Sequence, residues 1–388
     1  MTSEEALALL IAPLSADEFF ADWFERRVYR SPEPRAAAAG LLSIDRVDEI
    51  ISDSELPAGA ISMAKSGASI PAREYTYGNG NVDRGAVLDN FRDGATIILP
   101  QLHFADGRLY EFCLALEHQF GTRTQTNVYL TPPGEHGFGI HFDDHDVFVI
   151  QIAGAKKWEI YGDRESLPYK GERFRKDHDD TGELRDSFVL HAGECLYVPR
   201  GTAHRAPNHG TEPSLHITVG ILHKTWAEFM LEAVAEASLR IPEMRRSLPR
   251  GMCFAEAEEH AQTFRRLAQE IANTVSFEAT RAAFSENFVR QQGPRVRGAL
   301  NALCSPTGQD DAFVVREHIL YSFENDGGSG QQIVLAGSSI PLSDELAAQL
   351  RERIAVGRLT KGEFRVADLE ELDDVIGTLV AYGLLVRC

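Results

Sequence analysis

Hydrophobic and polar positions change their period several times along the 388 residues. Over residues 1–55 apolar positions recur at helical intervals: in LSADEFFADWFERRVY, Phe19, Trp23 and Phe24 share a face. Ser15 followed by Glu18 has the capping-box spacing that opens a helix. Residues 56–95 are glycine-rich and follow no period, which predicts irregular chain. A helix is expected over 109–120 (LYEFCLALEHQF). The apolar runs then shorten to TNVYLT (126–131), DVFVIQIAG (146–154), KKWEIYG (156–162), FVLHAGECLYVP (188–199) and LHITVGILH (215–223). These runs are rich in β-branched and aromatic residues and are separated by turn residues, which predicts a sandwich or barrel of short strands.

Helical spacing returns at 224, in TWAEFMLEAVAEAS and AEAEEHAQTFRRLAQEIANTV, and a mixed unit begins near 306. Three segments follow: 1–223 with the strands, 224–305 all helical, and 306–388 mixed. Trp226, Phe229, Met230 and Val234 form one apolar stripe, suited either to a dimer contact or to packing within the chain.

Charge narrows the set of partners. The chain has 39 Lys+Arg against 58 Asp+Glu, a net charge of -19. Nucleic-acid affinity is dominated by phosphate contacts, and no Lys/Arg cluster of that kind is present, so no direct nucleic-acid binding is expected. Residues 306–388 hold seven Lys/Arg against fourteen Asp/Glu, which extends that expectation to the C-terminal unit. An anionic surface attracts basic partners. No stretch reaches the roughly 20 apolar residues that span a bilayer. The acidic flanks of the first apolar run do not fit an export signal, so a cytoplasmic protein without membrane contact is expected. Five dispersed cysteines, with no CxxC pair, argue against a disulfide framework and a cysteine zinc site.

Two motifs carry chemistry. In HFDDHDVFVIQ (141–151), His141 and Asp143 are two residues apart just before a strand, so a two-residue period sends both to one face. In GECLYVPRGTAH (193–204), a strand, a Pro199–Gly201 turn and His204 follow in order. In an antiparallel two-sheet fold that turn returns His204 to the earlier strand. Two imidazoles and one carboxylate would form a facial triad suited to non-haem iron with open positions. His145 shares the parity of His141 and Asp143 and is read as supporting structure. His209 and His216 lack the turn that marks His204.

The joined motifs resemble the JmjC oxygenases. More narrowly, TNVYLTPPG, HFDDHDVFVIQIAGAKKWEIY and PRGTAHRAPN…SLHITVGI resemble the ribosomal-oxygenase branch of cupin-type protein hydroxylases. The resemblance implies an α+β chain with a double-stranded β-helix (jelly-roll) core and N-terminal helices over 1–223. It further implies a helical dimerisation region over 224–305 and a winged-helix-like domain over 306–388. It implies Fe(II) on His141, Asp143 and His204, with 2-oxoglutarate and O2 as cosubstrates. By the same resemblance Lys156 is the base that holds the distal carboxylate of 2-oxoglutarate, with Asn127, Tyr129 and Thr218 lining its site. Lys157 should face the opposite way.

The activity so implied is hydroxylation of a side chain, histidine or arginine, in a basic protein substrate such as a ribosomal protein, by a homodimer. The same chemistry on a peptide natural product or small molecule, and a non-catalytic cupin binding module, are the alternative readings. The loops at 56–95 and 163–186 are expected to shape the substrate groove.

Overall fold

The structure is a computed structural model. It describes every residue except 54, 134–138, 163–166, 173, 176–178, 208, 255–256, 305–307 and 326–329; of 257–259 it describes the backbone alone. Two units emerge, Met1–His223 and Lys224–Cys388. Among the described residues no helix is long and apolar enough to cross a membrane.

The first unit opens with α1 (Ser3–Ile11) and α2 (Ala16–Asp22), each closed at its start by a capping box, Thr2 with Glu5 and Ser15 with Glu18. Helices α3 (Ala36–Ala39), α4 (Ile44–Asp53), α5 (Arg84–Arg92) and α6 (Gly107–Phe120) follow. α5 falls where irregular chain was expected. It buries one apolar side chain, Val87, so it leaves no periodic trace, and its start is set by the Asp83 side chain accepting from the Ala86 N–H.

Among the described residues eleven strands follow: β1 (Tyr29–Arg30), β2 (Ser62–Lys65), β3 (Ala68–Ser69), β4 (Thr96–Pro100), β5 (Arg123–Thr131), β6 (Asp146–Ala153), β7 (Ala155–Tyr161), β8 (Leu184–His191), β9 (Cys195–Val198), β10 (Ala203–Arg205) and β11 (Ser214–Leu222). Eight pair in the order β1-β9-β6-β11-β5-β4-β2-β3, and a second sheet runs β10-β7-β8. The run FVLHAGECLYVP is therefore two strands in different sheets. The chain changes sheet at Gly193, whose φ of +88° suits glycine and whose missing Cβ would lie 2.8 Å from the Arg35 backbone.

Strand alternation divides the large sheet into two faces. Leu215, Ile217, Val219 and Ile221 of β11 join Phe19, Phe112 and Phe148 in the core beneath the helices. Full burial of each such side chain contributes about 2 kcal/mol. Val147 and Val149 of β6 point the other way and pack with Trp158, Leu190 and Leu196. His216, Thr218 and Gly220 lie on this second side.

One buried carboxylate ties these strands together. Asp146, at the start of β6, has no exposed surface. It accepts from the Tyr197 hydroxyl at 2.6 Å and the Arg200 N–H at 2.8 Å, and His223 Nε2 lies 3.1 Å away. The Arg200 guanidinium reaches Glu25 at 2.5 Å, and the Glu25 N–H donates to the Tyr197 oxygen at 2.8 Å. Burial pushes the Asp146 pKa up, but His223, Tyr197 and Arg200 outweigh it and hold it below the usual carboxylate range. The clamp joins the N-terminal segment, the start of β6, the turn after β9 and the end of β11.

In the second unit, α7 (Trp226–Arg240), α8 (Ala257–Thr274), α9 (Phe277–Arg290) and α10 (Ala299–Leu303) precede β12 (Ala312–Val315), β13 (Ser322–Asn325), β14 (Gln331–Leu335), β15 (Ser338–Leu342), α11 (Asp344–Val356), β16 (Arg358–Thr360), α12 (Leu369–Ala381) and β17 (Leu385–Arg387). The strands form two small sheets, β16-β12-β17 and β13-β14-β15. Phe313, Leu346, Leu350, Leu372 and Leu379 centre their core. The apolar stripe of α7 divides: Phe229 packs on Phe277 and Phe284 at 5.6 and 5.4 Å, while Trp226 and Met230 are exposed.

Removing one partner of a buried charge network leaves the others uncompensated. Asp146→Ala is therefore expected to lower unfolding free energy by about 3 kcal/mol, measured by denaturant titration. A loss below about 1 kcal/mol would mean that Arg200, Tyr197 and His223 find other partners.

Candidate metal centre

The two sequence motifs meet through the backbone. The His141 N–H donates to the His204 carbonyl at 3.1 Å, and the His204 N–H donates back to the His141 carbonyl at 2.8 Å. The Gly201 N–H, in the turn before His204, donates to the Asp143 carbonyl at 2.9 Å. Residues 142–145 lie outside any strand, yet side chains still alternate. Phe142 is buried and packs edge-on to Phe174 at 5.5 Å.

His141, Asp143 and His204 each offer a ligand atom, and these atoms lie within 4.8 Å of one another. His204 Nε2 is 3.8 Å from the Asp143 carboxylate, and the two imidazole centroids are 4.6 Å apart. His141 Nδ1 donates to the Gly139 carbonyl and His204 Nδ1 to the Thr202 carbonyl, each at 2.9 Å. These bonds assign the proton of each ring to Nδ1 and make Nε2 the ligand nitrogen, the usual arrangement in metal sites. Burial, reinforced by His141, lowers the His204 pKa to about 4, so its ring is neutral. Two imidazoles presenting Nε2, with a carboxylate beside them, fit a divalent metal with open coordination positions.

The three residues line a cavity of about 110 Å³ together with Asn127, Tyr129, Lys156 and Thr218. Lys156 is 3% exposed and donates to the Thr131 hydroxyl at 3.1 Å. Among the described residues no carboxylate pairs with it, and burial lowers its pKa to about 7. Lys157 turns to the opposite side and lies 2.8 Å from Glu159. Glu159 also holds Arg205, and the Arg205 and Lys157 bonds bring its pKa down to about 2. That pairing fastens β10, which carries His204, to β7.

The other cavity residues have local partners. The Asn127 side-chain oxygen accepts from the Gln101 N–H at 3.3 Å, and the Thr218 hydroxyl donates to the Asn127 carbonyl at 3.3 Å. Burial, helped by the charge of Asp143, pushes the Tyr129 pKa up to about 12, so it stays a phenol. Its ring stacks on His216 at 4.8 Å with a 5° interplanar angle.

Two further histidines line the cavity: His216, which the sequence did not assign to the site, and His145, expected only to support the ligands or the structure. His216 is buried, and burial together with the charge of Lys156 holds its pKa well below the usual range. Its parity with Thr218 on β11 was the available signal. His145 also lines the cavity, with Nδ1 3.0 Å from the Asp144 carboxylate. His209 is exposed.

An open groove of about 900 Å³ shares Tyr129, His141 and Asp143 with the cavity and adds Gly67, Phe174, Asp179 and Thr181. Residues from both loops expected to shape a groove thus line it, although part of 163–186 lies outside the described residues.

Comparison with known proteins places this geometry. Residues 101–229 match the JmjC domain family model JmjC_2. Ribosomal oxygenase 1 of Bos taurus is 30% identical over 272 residues, which are 66% of this chain and 39% of that protein. The bifunctional lysine-specific demethylase and histidyl-hydroxylase NO66 of Drosophila grimshawi is 30% identical over 258 residues, 63% of this chain and 35% of that protein. The chain thus spans roughly two fifths of the length of these curated relatives. Among solved structures, the Escherichia coli ribosomal oxygenase YcfD aligns over 97% of this chain and 99% of its own, with a TM-score of 0.55 and 17% identity. Its complex with cobalt and 2-oxoglutarate aligns over the same shares with a TM-score of 0.54 and 17% identity. That likeness shows a shared α+β fold of the JmjC cupin type. The chain carries a JmjC domain at residues 101–229 and is a homologue of the ribosomal oxygenase 1 and NO66 proteins.

Proposed function

We propose that this protein is an Fe(II)- and 2-oxoglutarate-dependent oxygenase that hydroxylates a side chain of a basic protein substrate. The observation that carries this reading is one cavity with two different unmet needs. His141, Asp143 and His204 present ligand atoms to one point. Lys156, in the same cavity, is a buried cation without a carboxylate among the described residues. A metal alone would use only the first of these. A dicarboxylate that chelates the metal at one end and meets Lys156 at the other would use both. When bound, iron with 2-oxoglutarate and O2 would supply the oxidation of a substrate C–H bond to an alcohol, with succinate and carbon dioxide as the other products.

The remaining steps belong to the chain. The Gly139 and Thr202 carbonyls hold the two imidazoles in the ligand tautomer. Lys156 and the Thr131 hydroxyl would take the distal carboxylate, with Tyr129 and Asn127 on one wall and Thr218 on the next. Val147, Val149 and Trp158 keep the inner wall apolar and so limit water near the oxidised centre.

The net charge of -19 supports a basic partner, and relatives named ribosomal oxygenases support a ribosomal protein as the substrate. Five free cysteines fit a reducing, cytoplasmic setting. Trp226, Met230, Leu231 and Leu239 stay exposed on α7, supporting a homodimer formed through the helical region. Residues 306–388, read as a winged-helix-like domain, carry too much acid for phosphate contacts, which supports protein contacts there instead.

The reading is tested by 2-oxoglutarate turnover to succinate with Fe(II) across basic ribosomal peptides, with His141→Ala as control. Turnover in wild type that the variant abolishes is expected; equal turnover in both would refute the metal assignment. Solution mass at twice 42.9 kDa is expected from light scattering, and a monomer mass would remove the dimer.

Lys156 gives a pH signature. Its carboxylate partner requires the protonated amine, and the folded protein without ligand loses that proton near pH 7. Binding of 2-oxoglutarate must then take up a proton, and affinity should fall by about tenfold per pH unit above 7. Calorimetry in buffers of different ionisation enthalpy measures that uptake. Lys156→Met should bind more weakly, with the pH slope gone. The same depressed pKa makes the ligand-free protein gain stability from about pH 7 towards the ordinary lysine value, because the unfolded chain holds the proton longer.

A further inference from the structure

His145 is not among the three proposed metal ligands, yet it stands on the wall of the same cavity. Three observations define its position. Its Nδ1 lies 3.0 Å from Asp144 Oδ1, and Asp144 Oδ2 accepts from the Gly171 N–H at 2.6 Å. The carboxylate is thus held by the backbone on one side and holds the imidazole on the other. The opposite edge of the ring lies over Gly220 of β11. A Cβ built there would fall 2.7 Å from His145 Cδ2 and 2.8 Å from Nε2. β11 has given up a side chain where it would collide with this ring. Finally, among the described residues the ring's one hydrogen bond is that of Nδ1 to Asp144.

The anchored Nδ1 decides what Nε2 can do. Asp144 accepts, so Nδ1 is the donor of that pair, and in this tautomer Nε2 presents a lone pair. A fixed acceptor beside the metal cluster selects for hydrogen-bond donors. The Lys156 end of the cavity suits a carboxylate, so this acceptor serves the other reactant.

We propose that His145 is a substrate-selecting residue: its Nε2 accepts a hydrogen bond from an N–H of the side chain being oxidised. The site then favours guanidinium-like and other N–H-bearing groups and discriminates against quaternary ammonium groups, which carry charge but no donor. This rests on the oxygenase reading above and narrows its substrate class. Gly220 serves the same end by leaving room for the ring.

The test uses two monocations that differ in N–H donors, methylguanidinium and tetramethylammonium. The full chain is loaded with Mn(II) and 2-oxoglutarate near pH 8, and paramagnetic broadening of each probe's proton signals reports binding beside the metal. Wild type should bind methylguanidinium about tenfold more tightly than tetramethylammonium, the order expected for one hydrogen bond involving a charged group. His145→Leu should remove that preference. His145→Gln, which keeps an acceptor, should restore part of it. Gly220→Ala, which displaces the ring and leaves His145 in the chain, should also reduce it and serves if His145→Leu does not fold. Equal binding of the two probes to wild type, or an unchanged preference in both His145→Leu and Gly220→Ala, would overturn the proposal. If wild type fails to bind Mn(II) and 2-oxoglutarate at all, the oxygenase reading itself fails, so the two failures are distinct.

Discussion

The site depends on one pair of backbone hydrogen bonds, exchanged between His141 and His204. These residues are 63 positions apart, and β6, β7, β8 and β9 lie between them. Loop-closure entropy grows only slowly with length, so closing so long a segment costs little more than closing a short one. Geometry matters more. The bridge is an isolated two-residue contact and needs support on both sides. Asp146 supplies it from below by holding the Arg200 N–H, and Glu159 supplies it from the side by fastening Arg205 to β7. With those fixed, the two imidazoles can only face one another and Asp143.

Two of the unit's buried charges, Asp146 and Lys156, are treated in opposite ways. Asp146 meets a hydroxyl, a backbone N–H, a guanidinium and an imidazole, so its negative charge is retained and its role is to hold strands together. Lys156 meets one hydroxyl, and its proton is correspondingly loosened. Desolvation without compensation is costly, and a chain that keeps such a residue gives up stability that a hydrophobic side chain would supply. On the proposed reading the contrast separates structural burial at Asp146 from functional burial at Lys156.

Much of this was legible in the sequence because it is local. Strand alternation placed His141 and Asp143 together, and the Pro199–Gly201 turn marked His204. The five apolar runs correspond to strands, although FVLHAGECLYVP hid a change of sheet at Gly193. What escaped depends on distant partners. Tyr197 reads as an ordinary strand aromatic until its hydroxyl is seen between Asp146 and the Glu25 backbone, 172 positions away. β10 carries too few residues for a period, β4 is buried at four consecutive positions and so shows no alternation, and α5 buries only one apolar side chain. His216 follows no turn of the kind that marks His204, and only its strand parity with Thr218 connects it to the cavity.

That parity also orders the cavity. His216 and Thr218 of β11 line it, Gly220 two residues further on lies under the His145 ring, and each is paired across to β5: His216 with Tyr129, Thr218 with Asn127, Gly220 with Gln125. On the proposed reading these are three stations. The first lies near the charge of Lys156 and stacks an imidazole on a phenol, a wall that supports a carboxylate-binding end. The second spends its polar groups on one another and stays neutral beside the metal ligands. The third is bare backbone with the His145 ring across it. On that reading a single antiparallel pair of strands, alternating with period two, would set cosubstrate, metal and substrate in line about two residues apart. The order follows from the pleat, and only the side chains at each station decide what the site accepts.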